Sequence, residues 1–239
     1  MKKSILAVLI AGLAGTLCIL GYKWFSASSN EKEVTIEQDD AQSLAVQIDF
    51  DAGTLDISGG STNWLDASFD YKNKKALPKV KYNQKRKKGV LTVKAESKIF
   101  GVNRVNQNNH WDIQLNNEIP IDLDVDMGVS KATLNLNEIQ LNKLTIDGGV
   151  SDSTIDLSGE RKNHLQGYID IGVGQMTLLL PKQTGVKLSI DKGLGKLDLK
   201  DFVSQGNNVY TNKAYDRNEA AIELDIDIGV GSLKVDLAE

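Results

Sequence analysis

An aspartate recurs beside a glycine along the second half of the chain. The phrase VDMGVSKATLNL returns with small changes as TIDGGVSDSTIDL and DIDIGVGSLKVDL. If these copies stack as neighbouring strands, their carboxylates line up about 4.8 Å apart. Carboxylates held that closely can recruit a cation such as Ca²⁺. The candidate cation ladder consists of Asp126, Asp147, Asp170, Asp191 and Asp227.

A second interpretation of this row needs no ligand. Each carboxylate can accept hydrogen bonds from the backbone amides of the glycine turn that follows it. In calcium-binding β-rolls the aspartate follows its glycines and recurs about every nine residues. Here it precedes the turn, at a spacing near 21. We therefore favour turn capping over cation binding and over a simple solvated edge, and we assign no metal or cofactor to the chain.

A basic block is the second set of residues that could bind a ligand. Between Lys72 and Arg104 the chain has twelve Lys or Arg residues and one acid, whereas from Asp112 onward acids exceed bases by nine. Such a block can contact anionic wall polymer or lipid head groups, at about 1 kcal/mol per well-placed charge. It can equally protect exposed strand edges without binding anything. The candidate contact residues are Lys81, Lys85, Arg86, Lys87 and Lys88.

Patterns typical of enzymes are weak in this sequence. The two histidines, His110 and His164, lie in polar stretches without a companion at metal-ligand spacing. Carboxylate pairs such as Asp225 and Asp227 could serve a glycosidase, but a repeated aspartate produces such pairs whatever its purpose. The sequence has no nucleophile elbow or phosphate-binding loop. We predict no catalytic residue and a protein that is not an enzyme.

Short strands are the elements that must position these residues. Apolar residues make up 41% of the 239 residues, but aromatics only 6%, and there are 21 glycines. This composition favours an all-β fold with glycine turns. Counted from the apolar residue after each glycine, inward positions recur at +3, +5 and +7, as in Ala132, Leu134 and Leu136 after Val129. Such alternation is typical of strands with one buried face.

The glycine spacing predicts how the strands are arranged. Successive pivots are 21, 23, 21 and 36 residues apart, at Gly128, Gly149, Gly172, Gly193 and Gly229. We predict a parallel-coil β-helix or β-roll of roughly 21-residue rungs with an aliphatic interior. Glycine at the corner would permit positive φ and close stacking of rungs. A looser copy pairs Asp51 with Gly53, and residues 204–218 are expected to form a loop in the longest interval.

The chain divides into four predicted regions. Residues 1–25 form a membrane anchor or signal segment, 26–40 a tether, 41–110 an N-terminal β region with a basic meander, and 111–239 the repeat β-helix. The small antiparallel meander is expected from Ala67–Tyr71, Val80–Tyr82 and Val90–Val93, with Lys87-Lys88-Gly89 turning its last hairpin.

The N-terminus predicts where the protein resides. Lys2 and Lys3 precede eighteen uncharged residues, Ser4–Gly21, which as a helix rise about 27 Å, close to the hydrocarbon thickness of a bilayer. We predict one uncleaved transmembrane helix that places the large C-terminal domain outside the cytoplasm. Cleavage near residues 26–28 is the alternative. The single cysteine, Cys18, excludes an intramolecular disulfide.

The phrase WDIQLNNEIPIDLDVDMGVSKATLNL, followed by the Asp-Gly rungs, resembles the bacterial toast-rack family. The family's β-helical domain is also found on cell-envelope stress regulators of the LiaF type. The resemblance extends from about Asp49 to Glu239 and implies a fold, with no catalytic residues to carry over. This chain departs from the LiaF-type plan because we predict one membrane span where that plan has several.

These patterns lead to two functional hypotheses. By resemblance, we expect a non-catalytic, membrane-anchored, extracytoplasmic β-helical protein that acts as an interaction or sensor accessory in envelope stress or homeostasis. The alternative is an adhesin-like or cell-wall glycan-binding module that uses a flat solenoid face. The predicted partners are the membrane through residues 4–21, another membrane or envelope protein, and anionic wall polymer or lipid head groups. Nucleic acid is not expected outside the membrane.

Overall fold

Alternating apolar residues build an all-β molecule. The computed structural model describes residues 30–71, 77–95, 109–160, 163–215 and 222–238, and the chain from Glu31 onward forms one compact unit. The described residues contain thirteen strands and no α-helix. The strands are β1 (Asn30–Ile36), β2 (Ser43–Ser61), β3 (Leu65–Tyr71), β4 (Pro78–Lys85), β5 (Lys88–Ala95), β6 (His110–Asn116), β7 (Ile121–Asn135), β8 (Leu141–Asp156), β9 (Leu165–Pro181), β10 (Val186–Leu199), β11 (Phe202–Gly206), β12 (Val209–Asn212) and β13 (Ile222–Ala238).

Each repeat is a long strand that bends and then returns to its start. β7 pairs in parallel with β8, so that Ile121 lies beside Leu141. Residues 136–140, which connect the two strands, span at most about 18 Å. Because this is far shorter than a straight β7, the strand must bend so that its two ends approach each other. We call the part of each long strand before its pivot glycine the first arm, and the part after it the second arm.

The repeats do not stack in chain order. The parallel neighbours run β2-β7-β8-β9-β13-β10, so that the C-terminal strand lies between β9 and β10. Gly229 of β13 therefore separates Gly172 from Gly193, which the spacing had placed next to each other. The long interval before Gly229 has the chain length that this return requires.

Part of the predicted loop at residues 204–218 is a β-hairpin. β11 and β12 pair antiparallel, and β12 also pairs antiparallel with β10. Asn207 and Asn208 form the turn with φ of 51° and 61°. Asparagine tolerates this left-handed conformation, which tight hairpin turns require. The loop prediction was wrong here because this turn signal was overlooked.

The predicted antiparallel meander is wrong in its pairing. β3 pairs antiparallel with β6 and also neighbours β1. β4 and β5 do form an antiparallel hairpin, but β5 then pairs in parallel with β2. β1 lies within the predicted tether, and its Val34 and Ile36 pack against the core. Alternating apolar residues mark strands, but they do not specify which strand lies beside which.

The hairpin turn also lies elsewhere than predicted. Lys85 is opposite Lys88, and Arg86 in the turn has φ of 59°. Gly89 belongs to β5, where a Cβ atom would come within 2.6 Å of the Leu44 side chain. Close packing, rather than turn geometry, therefore explains this glycine.

One apolar core joins the N-terminal region to the repeats. Trp111 is fully buried and contacts Phe50 and Phe69 edge-on, with ring centroids 5.0 and 5.4 Å apart. The predicted boundary between residues 110 and 111 therefore does not separate two cores. The predicted inward positions of the second arms are confirmed as buried at Ala132, Leu134, Leu136, Ser153, Ile155, Leu157, Met176, Leu178, Leu180, Leu233 and Val235.

The predicted membrane anchor at residues 1–25 and the cleavage site at residues 26–28 lie outside the described residues. Within the part of the chain that is described, no helix has the length and apolar character needed to cross a membrane.

Candidate functional site

Parallel pairing brings the predicted aspartates into one row. Each carboxylate-bearing residue lies directly beside its equivalent in the next rung. The row also continues onto β2, where Asp49 pairs with Asp126. Its spatial order is Asp49, Asp126, Asp147, Asp170, Asp227 and Asp191. We call these six residues the aspartate row.

The predicted first copy of the repeat begins two residues too late in the sequence. The register places Asp49, and not Asp51, at the aspartate position, and it pairs Gly53 with Ser130. Asp51 stands beside the pivot Gly128, where a Cβ atom would lie 2.3 Å from the Asp51 carbonyl oxygen. This close approach explains why the next rung needs a glycine there.

The corner uses its two glycines in different ways. A Cβ atom at the pivot Gly229 would lie 2.5 Å from the carbonyl oxygen of Gly172 in the next rung, which confirms the expected crowding. Positive φ occurs two residues later, at Gly231 (153°) and Gly174 (149°). The expected positive φ at the corner is therefore present, but at the second glycine and not at the pivot.

The carboxylates of the aspartate row are not turn caps. Among the described residues, Asp227 accepts a hydrogen bond from the Tyr168 hydroxyl at 3.0 Å, and Asp191 accepts one from the Asn208 side-chain amide at 2.8 Å. No described backbone amide donates to either of them or to Asp126, Asp147 or Asp170. The capping prediction is therefore wrong. The extended arm directs these side chains outward, away from the turn amides.

Crowding of like charge is visible at the centre of the row. Partial burial raises the pKa of Asp147, and repulsion from Asp170, Asp126 and Asp124 raises it further. Within the described ranges, no three His, Cys, Asp or Glu side chains are arranged to hold a metal ion. The row is a linear array of negative charge along one face.

The predicted basic contact residues separate into two groups. Lys87 pairs with Asp40, and the Lys88 ammonium lies 2.8 Å from Asp122 Oδ2. The other candidates, Lys81, Lys85 and Arg86, are exposed and form no ion pair with a described residue. Lys79 is exposed in the same way. We call β4 and β5 the basic hairpin; the Lys72–Lys75 part of the block lies outside the described residues.

The basic hairpin and the aspartate row share one outer face. Lys79 pairs with Lys94, Lys94 with Asp49, and Asp49 with Asp126. The aspartate row crosses six strands. In the same register, the next two strands, β5 and β4, carry the lysines Lys94 and Lys79. We call the outer surface of β4, β5 and the first arms the charged face. It is positive at the β4 end and negative from β7 onward.

A carboxylate fastens the basic hairpin to the core. Asp39 accepts hydrogen bonds from the Tyr82 hydroxyl at 2.8 Å, the Trp64 indole at 3.0 Å and the Ala41 amide at 3.0 Å. Desolvation opposes ionisation, but the hydrogen bonds from Tyr82, Ala41 and Trp64 outweigh it and lower the pKa of Asp39. Burial and the Asp39 carboxylate raise the pKa of Tyr82 to about 12. Asp39 was overlooked because it lay in the predicted tether.

An aliphatic row borders the charged face at the corner. The residue after each pivot glycine points outward, and the five residues are in register. The valines are 47–50% exposed and the leucine 74%. We call this set the aliphatic row; it consists of Val129, Val150, Val173, Val230 and Leu194. The apolar pattern of the sequence did not distinguish these outward residues from the inward ones.

The histidines are not joined to either feature. His110 Nε2 lies 2.7 Å from Asp56 Oδ2 between β6 and β2, and both side chains are exposed. His164 is exposed before β9. The structure therefore does not bring the two histidines together with the aspartate row.

Known proteins resemble this chain in family and fold. A family model described as the N-terminal domain of toast_rack, DUF2154, matches residues 25–179. A crystal structure from Clostridium sporogenes, named as a candidate cell adhesion protein, is 31% identical with a TM-score of 0.83, over 88% of this chain and 100% of that one. A candidate adhesin from Parabacteroides merdae is 14% identical with a TM-score of 0.28, over 88% of this chain and 82% of that one. No curated protein matches the chain.

Proposed function

This chain belongs to the toast-rack family, and we propose that it is a non-catalytic adhesion module that binds an anionic cell-wall polymer through its basic hairpin. In this proposal the apolar segment at residues 4–21 anchors the protein in the cell membrane, and the β domain lies outside the cytoplasm. The observation that carries the proposal is the set of exposed, unneutralised cations on β4 and its turn.

The geometry of the hairpin supports binding to an extended polyanion. Lys79, Lys81 and Lys85 alternate along β4 and therefore point to the same side. Along the strand, Lys79 and Lys81 are spaced by about 6.6 Å, and Lys81 and Lys85 by about 13 Å. Lys87 and Lys88 are paired with Asp40 and Asp122. Among the described residues of the basic hairpin, the unpaired cations are therefore those of β4, Arg86 and Lys94 on β5. A repeating phosphate chain could meet several of these cations at once.

The relative from Clostridium sporogenes supports adhesion as the general role. Its name mentions cell adhesion, and it is 31% identical to this chain over 88% of the sequence. A role that requires only an exposed surface also agrees with the linear, solvent-facing arrangement of the charged groups. The sensor-accessory role stays a prediction, since nothing in the structure favours it over adhesion.

Binding of the full-length chain to poly(glycerol phosphate) tests this proposal. The chain would be held in nanodiscs of zwitterionic lipid, and its affinity measured by calorimetry at two salt concentrations. We expect the triple variant Lys81→Gln, Lys85→Gln, Arg86→Gln to bind at least about tenfold more weakly, because each lost contact is worth about 1 kcal/mol. Salt should weaken the wild type more than the variant.

A matched control removes the same charge elsewhere. The triple variant Lys196→Gln, Lys200→Gln, Lys213→Gln neutralises exposed lysines outside the charged face and should bind like the wild type. Equal loss in both variants, or no binding by the wild type, would contradict the proposal. Binding to vesicles rich in anionic lipid, without binding to the polymer, would instead assign the hairpin to lipid head groups.

A further inference from the structure

Exposed apolar side chains are concentrated on one side of the molecule. Among the described residues, eight large apolar side chains are exposed. Val90 and Tyr168 lie on the charged face, and five others form the aliphatic row at its corner. Only Val203 lies elsewhere. Isolated apolar residues on a surface are ordinary, whereas a contiguous set suggests a docking surface.

The charges on this face indicate which partner would fit. From β4 to β10 the face spans seven strand spacings, about 34 Å. It carries lysines at one end and an excess of carboxylates over the rest, where Lys143 and Lys187 also lie. A surface whose positive and negative charges lie at opposite ends is complementary to a second copy of itself turned end for end. A uniformly basic or acidic partner would match only one part of it.

We propose that the charged face binds a second copy of this chain, face to face and reversed. This inference rests on the adhesion function proposed above and specifies a further partner for it. A two-fold axis parallel to the strands, between β2 and β7, places β4 of one copy over β9 of the other and β5 over β8. Lys79 and Lys94 then lie opposite Asp170 and Asp147 of the second copy. Next to the axis, Asp49 lies opposite Asp126 of the second copy, so the interface has four lysine–aspartate pairs against two carboxylate pairs.

The symmetry doubles every contact. In a two-fold interface each residue pair occurs twice, so both basic hairpins meet aspartates at the same time. In a single copy, neighbouring carboxylates repel Asp147 and disfavour its ionised form. A lysine of the second copy placed opposite Asp147 would offset this repulsion. Neither Asp147 nor Asp170 accepts a hydrogen bond from a described residue, so both are available to a partner.

Charge reversal tests the proposal with the full-length chain in nanodiscs that hold one copy each. Variant one is Lys79→Glu with Lys94→Glu, and variant two is Asp147→Lys with Asp170→Lys. Light scattering across a concentration series at low salt should show wild-type dimers. Each variant alone should dimerise at least about tenfold more weakly, while a 1:1 mixture should recover pairing, because opposite charges again face each other.

Controls separate this inference from misfolding and from polymer binding. Lys200→Glu with Lys213→Glu changes the net charge as variant one does, but outside the face, and should dimerise like the wild type. Thermal melts of both variants should match the wild type. A monomeric wild type, or a mixture that does not pair, overturns self-association. Variant two should bind poly(glycerol phosphate) at least as tightly as the wild type in either case, and failure of the wild type to bind that polymer would overturn only the proposed function.

Discussion

Asp39 and Asp147 carry the same side chain, but their surroundings shift its pKa in opposite directions. Asp39 lies among donors, one of which is the indole of the buried Trp64. Although desolvation raises its pKa, the hydrogen bonds lower the pKa more. Asp147 lies among other carboxylates, and both burial and repulsion raise its pKa. Neighbours, rather than residue type, therefore decide whether ionisation of an aspartate stabilises this fold.

Replacing Asp39 with alanine should lower the free energy of unfolding by about 1–3 kcal/mol at pH 7, because the Trp64 indole loses its acceptor. The folded-state pKa of Asp39 lies below its unfolded value of about 3.9. Its stabilising contribution is therefore complete above that value and is lost as the pH falls through the folded pKa. Urea unfolding at pH 7 and pH 3 should show a difference between wild type and variant that shrinks in acid.

Asp152→Ala is the matched control for this experiment. Asp152 is exposed on the second arm of β8 and has no hydrogen bond or ion pair with a described residue. Its replacement should change stability by less than about 0.5 kcal/mol. An Asp39→Ala effect that is as large at pH 3 as at pH 7 would contradict the role assigned to the ionised carboxylate.

Strands stack closely in this molecule because glycine occupies the corners. A Cβ atom at Gly231 would lie 1.7 Å from the Gly174 carbonyl oxygen, and the residue also has φ of 153°. Such positions keep neighbouring rungs in register, since the carbonyl of one rung occupies the space that a side chain of the next would need. Register in turn aligns both the aspartate row and the aliphatic row.

Gly231→Ala should therefore destabilise the protein far more than Gly206→Ala. Gly206 has φ of 88°, but a Cβ atom added there would meet no other atom within 4 Å, so its replacement costs only the left-handed strain of about 1–2 kcal/mol. Gly231→Ala adds displacement of a backbone carbonyl and should cost about 4 kcal/mol or more. Urea unfolding of both variants measures the difference, and equal losses would show that rung contact is unimportant.

At the scale of the whole molecule, the C-terminal strand completes the stack. β13 pairs in parallel with β9 on one side and β10 on the other, along nearly its full length. β10 has no other parallel partner among the described strands, because its remaining neighbour, β12, pairs antiparallel and only through Lys187–Ser189. β13 therefore supplies the parallel partner of β10, although β10 comes before it in the sequence.

A chain that ends at residue 221 should lose the order of β10 while keeping that of β7 and β8. Hydrogen exchange followed by mass spectrometry measures this, since the amides of β10 lose their parallel partner and β7 and β8 keep theirs. Peptides from β7 and β8 provide the control within the same experiment. Full protection of β10 would contradict the expectation, and would mean that β10 had moved beside β9 in the order of the chain.

Local pattern was enough to predict the strands and their buried sides. Leu134 and Leu136 could be assigned to the interior because side chains alternate across a strand. The recurrence of the phrase near 21 residues indicated rungs and their register, since equal rungs place equal residues side by side. The aspartate row followed from that register, although its first member is Asp49 rather than Asp51.

Strand partners and side-chain acceptors were decided only by the tertiary structure. The place of β13 between β9 and β10, the pairing of β3 with β6, and the bond from Trp64 to Asp39 all join segments distant in sequence. Each of these contacts depends on which surfaces pack best in the complete molecule. A local sequence pattern contains no information about distant segments, so it could not predict them. The sequence by itself therefore determined an all-β repeat and the buried positions of its strands, whereas folding decided that lysines and aspartates share one face.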